Sequence, residues 1–375
     1  MKPSTGYEKA GPVVTVIGTR PEIIKFAPVA KACVASGVSH EMVHTGQHYS
    51  YEMDCRIFED LDLPVPRHNL KIGSGSHAEE TAKALVGLEK LFEDLEPALV
   101  LVLGDTNSTL AGALAASKLH IPVGHIEAGL RSFDREMPEE KNRVLTDHLS
   151  DILFAPTETS AKNLAREGIS PRRILITGNT IVDAVGLGLH LLEVKAKEKT
   201  RLDVIPDEKF MLLTLHREEN VDREDTLRKI MSGVSLASAK VGMNVVFPAH
   251  PRTLRRIKQY DIHIPDSIHL TEPKGYLEFL RLERDADVIL TDSGGVQEEA
   301  CILGVPCVTL RRSTERPETI AVGANRLAGL ESREIVMGVE TMISTSLGWQ
   351  NPFGDGKAGN RIVDAIVQNG WSNTT

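Results

Sequence analysis

The stretch from Asp287 to Ala300 decides the fold most clearly, and its sequence is DVILTDSGGVQEEA. Its apolar residues form a short continuous run, which is typical of a strand buried on both faces of a parallel sheet. A Ser-Gly-Gly turn follows at residues 293–295, and the pattern predicts a helix over 296–303. Free backbone N–H groups at a helix start favour an anion, and glycine lets a phosphate approach closely. The stretch therefore predicts either a phosphate site or a plain turn in which Ser293 caps the helix.

Short apolar runs alternate with helical stretches along most of the chain, which predicts an α/β fold with parallel sheets. The predicted strands of the first half cover residues 13–17, 40–44, 98–103, 122–126, 152–155 and 173–177. Those of the second half cover residues 210–215, 244–247, 268–270, 287–290 and 307–310. The helices predicted between them make the two halves similar α/β units.

Two domains are expected, because 375 residues are too many for one ordinary hydrophobic core. A charged stretch at 193–201, ahead of Pro206, marks the boundary. The first domain is predicted to comprise residues 1–185 with 357–375, and the second residues 186–356. A turn rich in Pro and Gly at 351–356 lets the last helix, predicted over 359–369, return to the first domain.

The composition excludes several classes of protein. Apolar residues make up 41% of the chain and charged residues 25%, so it is neither disordered nor fibrous. The net charge of −9 argues against nucleic acid or an anionic membrane as the main partner, although a small anion can bind locally. The four cysteines form no CxxC pair, and no apolar run is long enough to cross a membrane. We expect a soluble cytoplasmic protein with reduced thiols and no metal site.

Three acids of the first half, Asp105, Glu127 and Glu139, lie at or near the carboxyl ends of predicted strands. Ligands of parallel α/β sheets bind at these ends. Glu127 directly follows an apolar strand, and burial of a carboxyl group raises its pKa toward the range that suits a general acid or base. The alternative is a structural carboxylate paired with Arg131 or Arg143.

Basic residues at the same ends allow two interpretations. Arg20 and Lys25 lie on the first turn and the first helix, and each either binds an anion or lies on a solvated face. His216 follows a strand of the second half and either binds a phosphate or is a loop histidine. No Lys-Ser or Lys-Thr follows the glycines at 294–295, and the chain has no GxGxxG fingerprint. ATP hydrolysis and nicotinamide chemistry are therefore disfavoured.

Eight segments, taken together and in order, resemble one known family. They are GTRPEIIK at 18–25, GDT at 104–106, HIEAGLR at 125–131, PEEKNR at 138–143, TGNT at 177–180, HRE at 216–218, DSGGVQEEA at 292–300 and TERPE at 314–318. From about residue 13 to 366 the chain is similar to the non-hydrolysing UDP-N-acetylglucosamine 2-epimerases. The segments TGQHY at 45–49 and GSGSH at 73–77 look most like archaeal-type members.

The resemblance implies a glycosyltransferase-B fold, in which two Rossmann-like domains face a central cleft and the C-terminal helix returns to the first domain. It also implies a homodimer that interconverts UDP-N-acetylglucosamine and UDP-N-acetylmannosamine without a metal or another cofactor. In this family the carbon-2 proton is lost and UDP is eliminated, which gives 2-acetamidoglucal. Re-addition of UDP, with protonation on the other face, gives the epimer.

The resemblance also assigns site residues position by position. Asp105, Glu127 and Glu139 match the carboxylates that transfer protons, and which of them removes the carbon-2 proton stays open. At the diphosphate the matching residues are Arg20, His216, Ser293, Gly294 and Gly295, and His216 is a catalytic candidate as well. Glu299 matches the residue at the ribose, and Phe279 matches the one near the uracil. Elsewhere in the site the matching residues are Lys25, Arg143 and Arg316.

The chain departs from bacterial members at two places. Lys274 stands where many of them have Gln, at a contact that the backbone makes. Gln47 and His48 match the segment where bacterial members bind a second UDP-N-acetylglucosamine, which makes them candidate allosteric residues. The residues at 49–51 and 73–76 do not match, which argues against allosteric activation.

Other activities remain as alternatives. The nearest is a 2-epimerase of the same fold acting on UDP-2,3-diacetamido-2,3-dideoxyglucuronate. Such relatives tend to lack the Thr-Arg-Pro-Glu turn and the second Arg-Pro pair that this chain has at 19–22 and 316–317. A hydrolysing relative would release free N-acetylmannosamine and UDP. A glycosyltransferase would need an acceptor groove in place of three acids, and a sensor that only binds sugar nucleotides would not need the acids.

Overall fold

The computed structural model describes residues 11–46, 51–197 and 209–371 of the chain. Its contacts divide the chain into two compact units, Met1–Ala184 with Gly354–Thr375 and Val185–Phe353. Domains with the bounds 1–185 plus 357–375 and 186–356 stay a prediction. Within the described ranges, no helix is both long and apolar enough to cross a membrane.

The first unit contains a parallel sheet of seven strands. They are β1 (Val13–Ile17), β2 (His40–His44), β3 (His68–Asn69), β4 (Leu99–Leu103), β5 (Val123–Ile126), β6 (Ile152–Ala155) and β7 (Ile174–Ile176). Their order is β3-β2-β1-β4-β5-β6-β7, so the chain moves outward from β1, returns to β4 and continues on the other side. Loops after β1 and β4 therefore open side by side, which is the switch point where parallel sheets bind ligands.

The helices of the first unit follow its strands in alternation. They are α1 (Arg20–Ala35), α2 (Tyr51–Asp60), α3 (His77–Leu95), α4 (Asn107–Lys118), α5 (Pro138–Leu149), α6 (Glu158–Arg166) and α7 (Thr180–Lys197), the last of which continues past Ala184. Local hydrogen bonds start several of them. The Thr106 side chain caps α4 by accepting from Thr109 N, and Ser76 and Glu79 form a reciprocal capping box at α3.

The second unit repeats this architecture with a parallel sheet of six strands. They are β8 (Phe210–Thr214), β9 (Asn244–Pro248), β10 (Ile268–Thr271), β11 (Val288–Thr291), β12 (Cys307–Thr309) and β13 (Asn325–Leu327), in the order β10-β9-β8-β11-β12-β13. The helices are α8 (Glu218–Val221), α9 (Glu224–Val241), α10 (Pro251–Gln259), α11 (Tyr276–Asp285), α12 (Gly294–Leu303), α13 (Pro317–Ala321) and α14 (Ser332–Ile343). Each unit is thus Rossmann-like, and the predicted α/β class is confirmed.

Burial on both faces explains why the strands are continuous apolar runs. Along β8, Met211 and Leu213 enter one hydrophobic cluster, while Phe210 and Leu212 enter another on the opposite face of the sheet. Successive side chains of a strand point to opposite faces, so a sheet covered by helices on both sides needs apolar residues at every position.

Two strands escaped prediction from the sequence. β3 has only two residues, the polar His68 and Asn69, and β13 is the short Asn325–Leu327. Both are edge strands, as the strand orders show. An edge strand needs no run of buried apolar residues, so the signal used for the other strands is missing, and the first sheet has seven strands where about six were expected.

The last helix, α15 (Ala358–Gln368), belongs to the first unit and packs against α1. The contact is close at Gly359, where an added Cβ would lie 2.9 Å from the backbone carbonyl carbon and oxygen of Pro28. Asp183 of α7 accepts hydrogen bonds from the N–H groups of Ala358 (3.2 Å) and Gly359 (2.9 Å). The final helix thus has a distant carboxylate as its cap, and it lies where the turn at 351–356 predicts.

We expect Asp183→Ala to lower the free energy of unfolding of the first unit by about 1–2 kcal/mol, because the helix start loses its acceptor. Asp364→Ala, at an exposed position of α15, is the control and should change it by less than about 0.5 kcal/mol. Urea unfolding followed by Trp371 fluorescence in a Trp349→Phe background reports on this region, since the chain has 2 tryptophans. Equal effects of the two variants would contradict the capping role.

Candidate active site

The turn after β1 is filled by a carboxylate of its own chain. Glu22, in the first turn of α1, accepts hydrogen bonds from the N–H groups of Gly18 (2.6 Å) and Thr19 (2.7 Å). Its other oxygen accepts from the Thr106 hydroxyl, 2.7 Å away in the turn after β4. Burial raises the pKa of Glu22, although these hydrogen bonds lower it. These hydrogen bonds therefore join the turns after β1 and β4, and they fix the backbone next to Arg20.

Lys25 and Glu127 form a buried ion pair. Lys25 Nζ lies 2.5 Å from Glu127 Oε1, and the two side chains are 7% and 4% exposed. Asn179 donates another hydrogen bond to the same oxygen (3.2 Å). The interpretation of Lys25 as a cation on a solvated face is wrong, because its side chain is buried and pairs with Glu127. The cause is that α1 brings Lys25 to the carboxyl end of β5, where a buried carboxylate requires a cation.

Glu127 also has a strained backbone. Its φ of 68° lies in the left-handed region, which is unfavourable for a residue with a side chain. Such strain persists only where surrounding contacts fix the residue, and it is concentrated at functional sites. The conformation therefore supports a functional role for this acid.

Asp105 and Arg143 form the second ion pair of the unit. Arg143 donates to Asp105 Oδ2 from Nη2 (2.5 Å) and Nε (3.0 Å), and Asn142 donates to the Asp105 carbonyl oxygen (2.9 Å). The Asp105 side chain is 31% exposed and that of Arg143 only 3%. Asp105 is thus the accessible member of the pair, held in one orientation by α5.

Glu139 and Glu140 are adjacent at the start of α5 but have different surroundings. Glu139 is half-buried, whereas Glu140 is buried and accepts from Ser132 N and Phe133 N, both at 2.9 Å. Glu140 also pairs with Arg143 (2.7 Å). It therefore fastens the preceding loop, a role that the sequence analysis missed. Successive side chains on a helix point about 100° apart. The roles of Glu139 and Glu140 could therefore be distinguished only from the rotation of α5 relative to the preceding loop.

A buried cluster fixes the loops that carry these acids. Asp147 Oδ1 lies 2.7 Å from His125 Nδ1, and Asp147 Oδ2 lies 2.7 Å from Arg131 Nη2. The other ring nitrogen of His125 lies 2.9 Å from the carbonyl oxygen of Gly104. Burial alone would raise the pKa of Asp147, but His125 and Arg131 lower it below its usual value. The loops after β4 and β5 are therefore joined by one ionic network.

The start of α12 in the second unit is open. The Ser293 side chain caps the helix by accepting from Val296 N (3.4 Å), as the plain-turn interpretation predicts. Among the described residues, no acceptor binds the N–H groups of Gly294 and Gly295. In contrast to the filled turn at Gly18, this helix start keeps N–H donors for a ligand.

Arginines and glutamates surround that turn. Glu315 contacts Gly294 so closely that a Cβ there would overlap Glu315 Oε1, which explains the glycine. Glu315 pairs with Arg311 (2.9 Å) and lies 3.6 Å from Arg217 Nη2, and Arg316 pairs with Glu298. Three arginines thus meet two glutamates beside the helix start, which leaves the region favourable for an anion.

His216 is held by Asp292, the last residue before the Ser-Gly-Gly turn. Asp292 is buried and accepts from the N–H groups of His216 (3.1 Å) and Arg217 (3.0 Å), and its Oδ1 lies 3.0 Å from His216 Nδ1. Burial raises the pKa of Asp292, but His216 and Arg217 outweigh this and lower it to about 2. The half-exposed imidazole therefore has a fixed orientation. Asp292 was not among the residues predicted from the sequence, although its place between a buried strand and a capped turn was a usable signal.

The two remaining candidates of the second unit lie on α11 and α12. Phe279 is half-buried and packs against the cluster that contains Leu282 and Val296. Glu299 is 7% exposed and lies close enough to Glu283 of α11 to raise the pKa of that acid. Contacts of either residue with a nucleotide stay a prediction.

The candidate allosteric residues Gln47 and His48 lie outside the described residues. In the part of the chain that the structure does describe, no three His, Cys, Asp or Glu side chains are grouped so that they could hold a metal ion. The central cleft stays a prediction as well.

We expect Asp292→Asn to lower the free energy of unfolding of the second unit by roughly 2 kcal/mol near neutral pH. The folded-state pKa is lowered from 3.8 to about 2, so the charged group stabilises above pH 4 and this stability is lost as pH falls toward 2. The difference from the wild type should therefore shrink to about half at pH 3. Trp349 fluorescence in a Trp371→Phe background measures it, with exposed Asp266→Asn as the control. A difference that does not change with pH would contradict the argument.

Comparisons with known proteins agree on one family. The family model for UDP-N-acetylglucosamine 2-epimerase matches residues 31–367. The chain is 51% identical over 357 residues to the UDP-N-acetylglucosamine 2-epimerase of Methanocaldococcus jannaschii, covering 94% of this chain and 98% of that protein. It is 40% identical over 360 residues to the UDP-2,3-diacetamido-2,3-dideoxy-D-glucuronate 2-epimerase of Pseudomonas aeruginosa, covering 95% and 99%.

A solved structure gives the same result. The crystal structure of the M. jannaschii UDP-GlcNAc 2-epimerase in complex with UDP-GlcNAc and UDP has a TM-score of 0.89 and 50% sequence identity to this chain. The match covers 95% of this chain and 99% of that one. The extent of the family match and these identities lead to one conclusion: the chain belongs to the UDP-N-acetylglucosamine 2-epimerase family.

Proposed function

We propose that the chain catalyses the reversible epimerisation of UDP-N-acetylglucosamine to UDP-N-acetylmannosamine. The observation that carries the proposal is the open helix start at Gly294 and Gly295, beside arginines, whereas Glu22 closes the glycine turn after β1. A diphosphate accepts hydrogen bonds from such donors. The match to the UDP-N-acetylglucosamine 2-epimerase family supports a UDP-sugar as the molecule that carries this diphosphate.

The open helix start stabilises the leaving group. When the bond between carbon 1 of the sugar and the phosphate oxygen breaks, its electron pair stays on UDP and negative charge grows on the β-phosphate. The N–H groups of Gly294 and Gly295 already point out of the helix start that Ser293 caps, so they need little rearrangement to bind that charge. Arg20 and His216 are proposed to bind the same diphosphate, and Arg316 to contribute charge beside it.

The three acids of the first unit transfer the protons. One carboxylate takes the carbon-2 proton, the electron pair of that C–H bond forms the carbon 1–carbon 2 double bond, and UDP leaves. In the return direction UDP adds to carbon 1 while an acid protonates carbon 2 on the opposite face. We assign these transfers to the set of Asp105, Glu127 and Glu139, without dividing it into base and acid. Arg143 orients Asp105, and Lys25 neutralises Glu127.

The same acids set this activity apart from its rivals. A glycosyltransferase or a sugar-nucleotide sensor has no need of acids held at the switch point by buried cations. The higher identity to the M. jannaschii enzyme than to the P. aeruginosa enzyme favours N-acetylglucosamine over the diacetamido uronate. The expected homodimer and cytoplasmic location stay predictions.

Exchange with solvent tests the reaction directly. After incubation with UDP-N-acetylglucosamine in heavy water, proton NMR should show both epimers of the UDP-sugar with deuterium at carbon 2, because every turnover exchanges that proton. Recovered UDP-sugar without deuterium would contradict the proposal. Release of free N-acetylmannosamine would show a hydrolysing enzyme, and turnover of the diacetamido uronate alone would show the rival epimerase.

We expect Asp105→Asn to reduce kcat by about 10²–10⁴-fold while UDP affinity changes only a few-fold, because this acid acts on the sugar and not on the diphosphate. The control is Asp94→Asn at an exposed position of α3, which should leave both quantities unchanged. Initial rates and calorimetric titration with UDP measure the two effects. Collapse of UDP binding in Asp105→Asn would instead point to a structural aspartate.

A further inference from the structure

Glu283 is an acid in a place where no acid is expected. It lies on α11, is 0% exposed, and is close enough to Cys307, a member of a buried apolar cluster, to raise the pKa of that thiol. Among the described residues, no N–H or O–H group donates to either of its carboxyl oxygens. A buried carboxylate without a donor or a cation is highly unfavourable, so the group must be neutral.

The partner that Glu283 does have is another acid. α11 packs against α12, and this brings the Glu299 carboxyl group close enough to that of Glu283 to share a hydrogen bond with it once one of the two groups carries a proton. Burial raises the pKa of Glu283 well above its usual value, and the charge of Glu299 and the hydrogen bond to it raise it further. Because Glu283 is fully buried without a donor or a cation among the described residues, it carries the proton, and its O–H group can donate to the Glu299 carboxylate.

A tyrosine completes the group. Tyr276 lies two turns before Glu283 on the same face of α11, and it is 5% exposed. Its hydroxyl has no hydrogen-bond partner among the residues described, and both acids lie close enough to raise its pKa, after burial, which is the largest cause. Within the part of the chain that the structure describes, the charged group that acts on Glu283 is therefore the Glu299 carboxylate, and no cation does so.

We propose that Glu283 is a positioning residue for the nucleotide: its O–H group holds one oxygen of the Glu299 carboxylate, so that the other oxygen is presented to the ribose hydroxyls. The inference rests on the proposed function, because Glu299 contacts a ribose only if the chain binds UDP. It extends that function by giving the ribose contact a support that lies on a different helix.

Comparing the binding of UDP with that of 2′-deoxy-UDP measures the contribution of the ribose contact. Wild type should bind UDP more tightly than 2′-deoxy-UDP in calorimetric titrations, because Glu299 accepts from the ribose diol. Glu283→Leu should weaken UDP binding roughly 3- to 10-fold, the loss of about one hydrogen bond, and change 2′-deoxy-UDP binding much less. Glu283→Gln should keep the preference within about 2-fold, since its amide N–H donates where the acid O–H did. The kcat at saturating UDP-sugar should change little in both variants.

Different results would contradict the role of Glu283 and the proposed function of the chain. If Glu283→Gln loses the preference as fully as Glu283→Leu, or if Glu283→Leu weakens both nucleotides equally, Glu283 only packs and the inference is wrong. If Glu283→Leu fails to fold, Glu283→Met gives the same comparison. Wild type that binds neither nucleotide would overturn the proposed function, and the inference with it. Wild type that binds both equally would overturn the ribose contact alone.

Discussion

A charged side chain that leaves water must find a partner, and this constraint organises both units of the chain. In the first unit Lys25 meets Glu127, and Arg143 meets Asp105, at the carboxyl ends of parallel strands. In the second, Asp292 is kept ionised by its contacts with His216 and the neighbouring backbone. In each case, the charged group either is a residue to which the family resemblance assigns a role or supports a turn that contains such residues. The contacts that stabilise the buried charges therefore also orient the groups that act.

The two glycine turns show how the same local structure is put to different uses. Both follow a buried strand and start a helix, and both have N–H donors that favour negative charge. Glu22 satisfies the donors after β1 from within the chain, whereas the start of α12 is left for a ligand. The Glu22 carboxylate, four residues after Gly18, thus occupies a turn that could otherwise bind an anion and makes it a rigid connection. That connection is useful in its own right, because it ties the turn after β1 to the one after β4.

Much of the fold follows from the sequence, because strands buried on both faces are apolar throughout and stand out between helices. β3 and β13 do not stand out, because these two short edge strands lack a run of apolar residues. The candidate site was harder to predict. Motifs located Asp105 and Glu127, yet the buried cation that pairs with Glu127 proved to be Lys25, which lies on α1. Such partners depend on how helices rotate against the sheet, which one sequence does not specify.

The acids that have supporting tasks illustrate the same limit. Glu140 stands beside Glu139, and Asp292 beside Ser293, inside segments that the motif comparison had already selected. Type and position in the chain did not distinguish a residue that meets a ligand from one that fixes a loop. Burial and hydrogen-bond donors make that distinction, and both are properties of the folded chain. Glu283 is the extreme case, since an acid within an apolar helix face looks from sequence like a solvated residue.

The most direct test of the account is a crystal structure of the chain with UDP bound. The account predicts that diphosphate oxygens lie within about 3.2 Å of the N–H groups of Gly294 and Gly295, while Glu22 still holds those of Gly18 and Thr19. A diphosphate bound at the turn after β1, with Glu22 displaced, or bound away from α12 altogether, would contradict it.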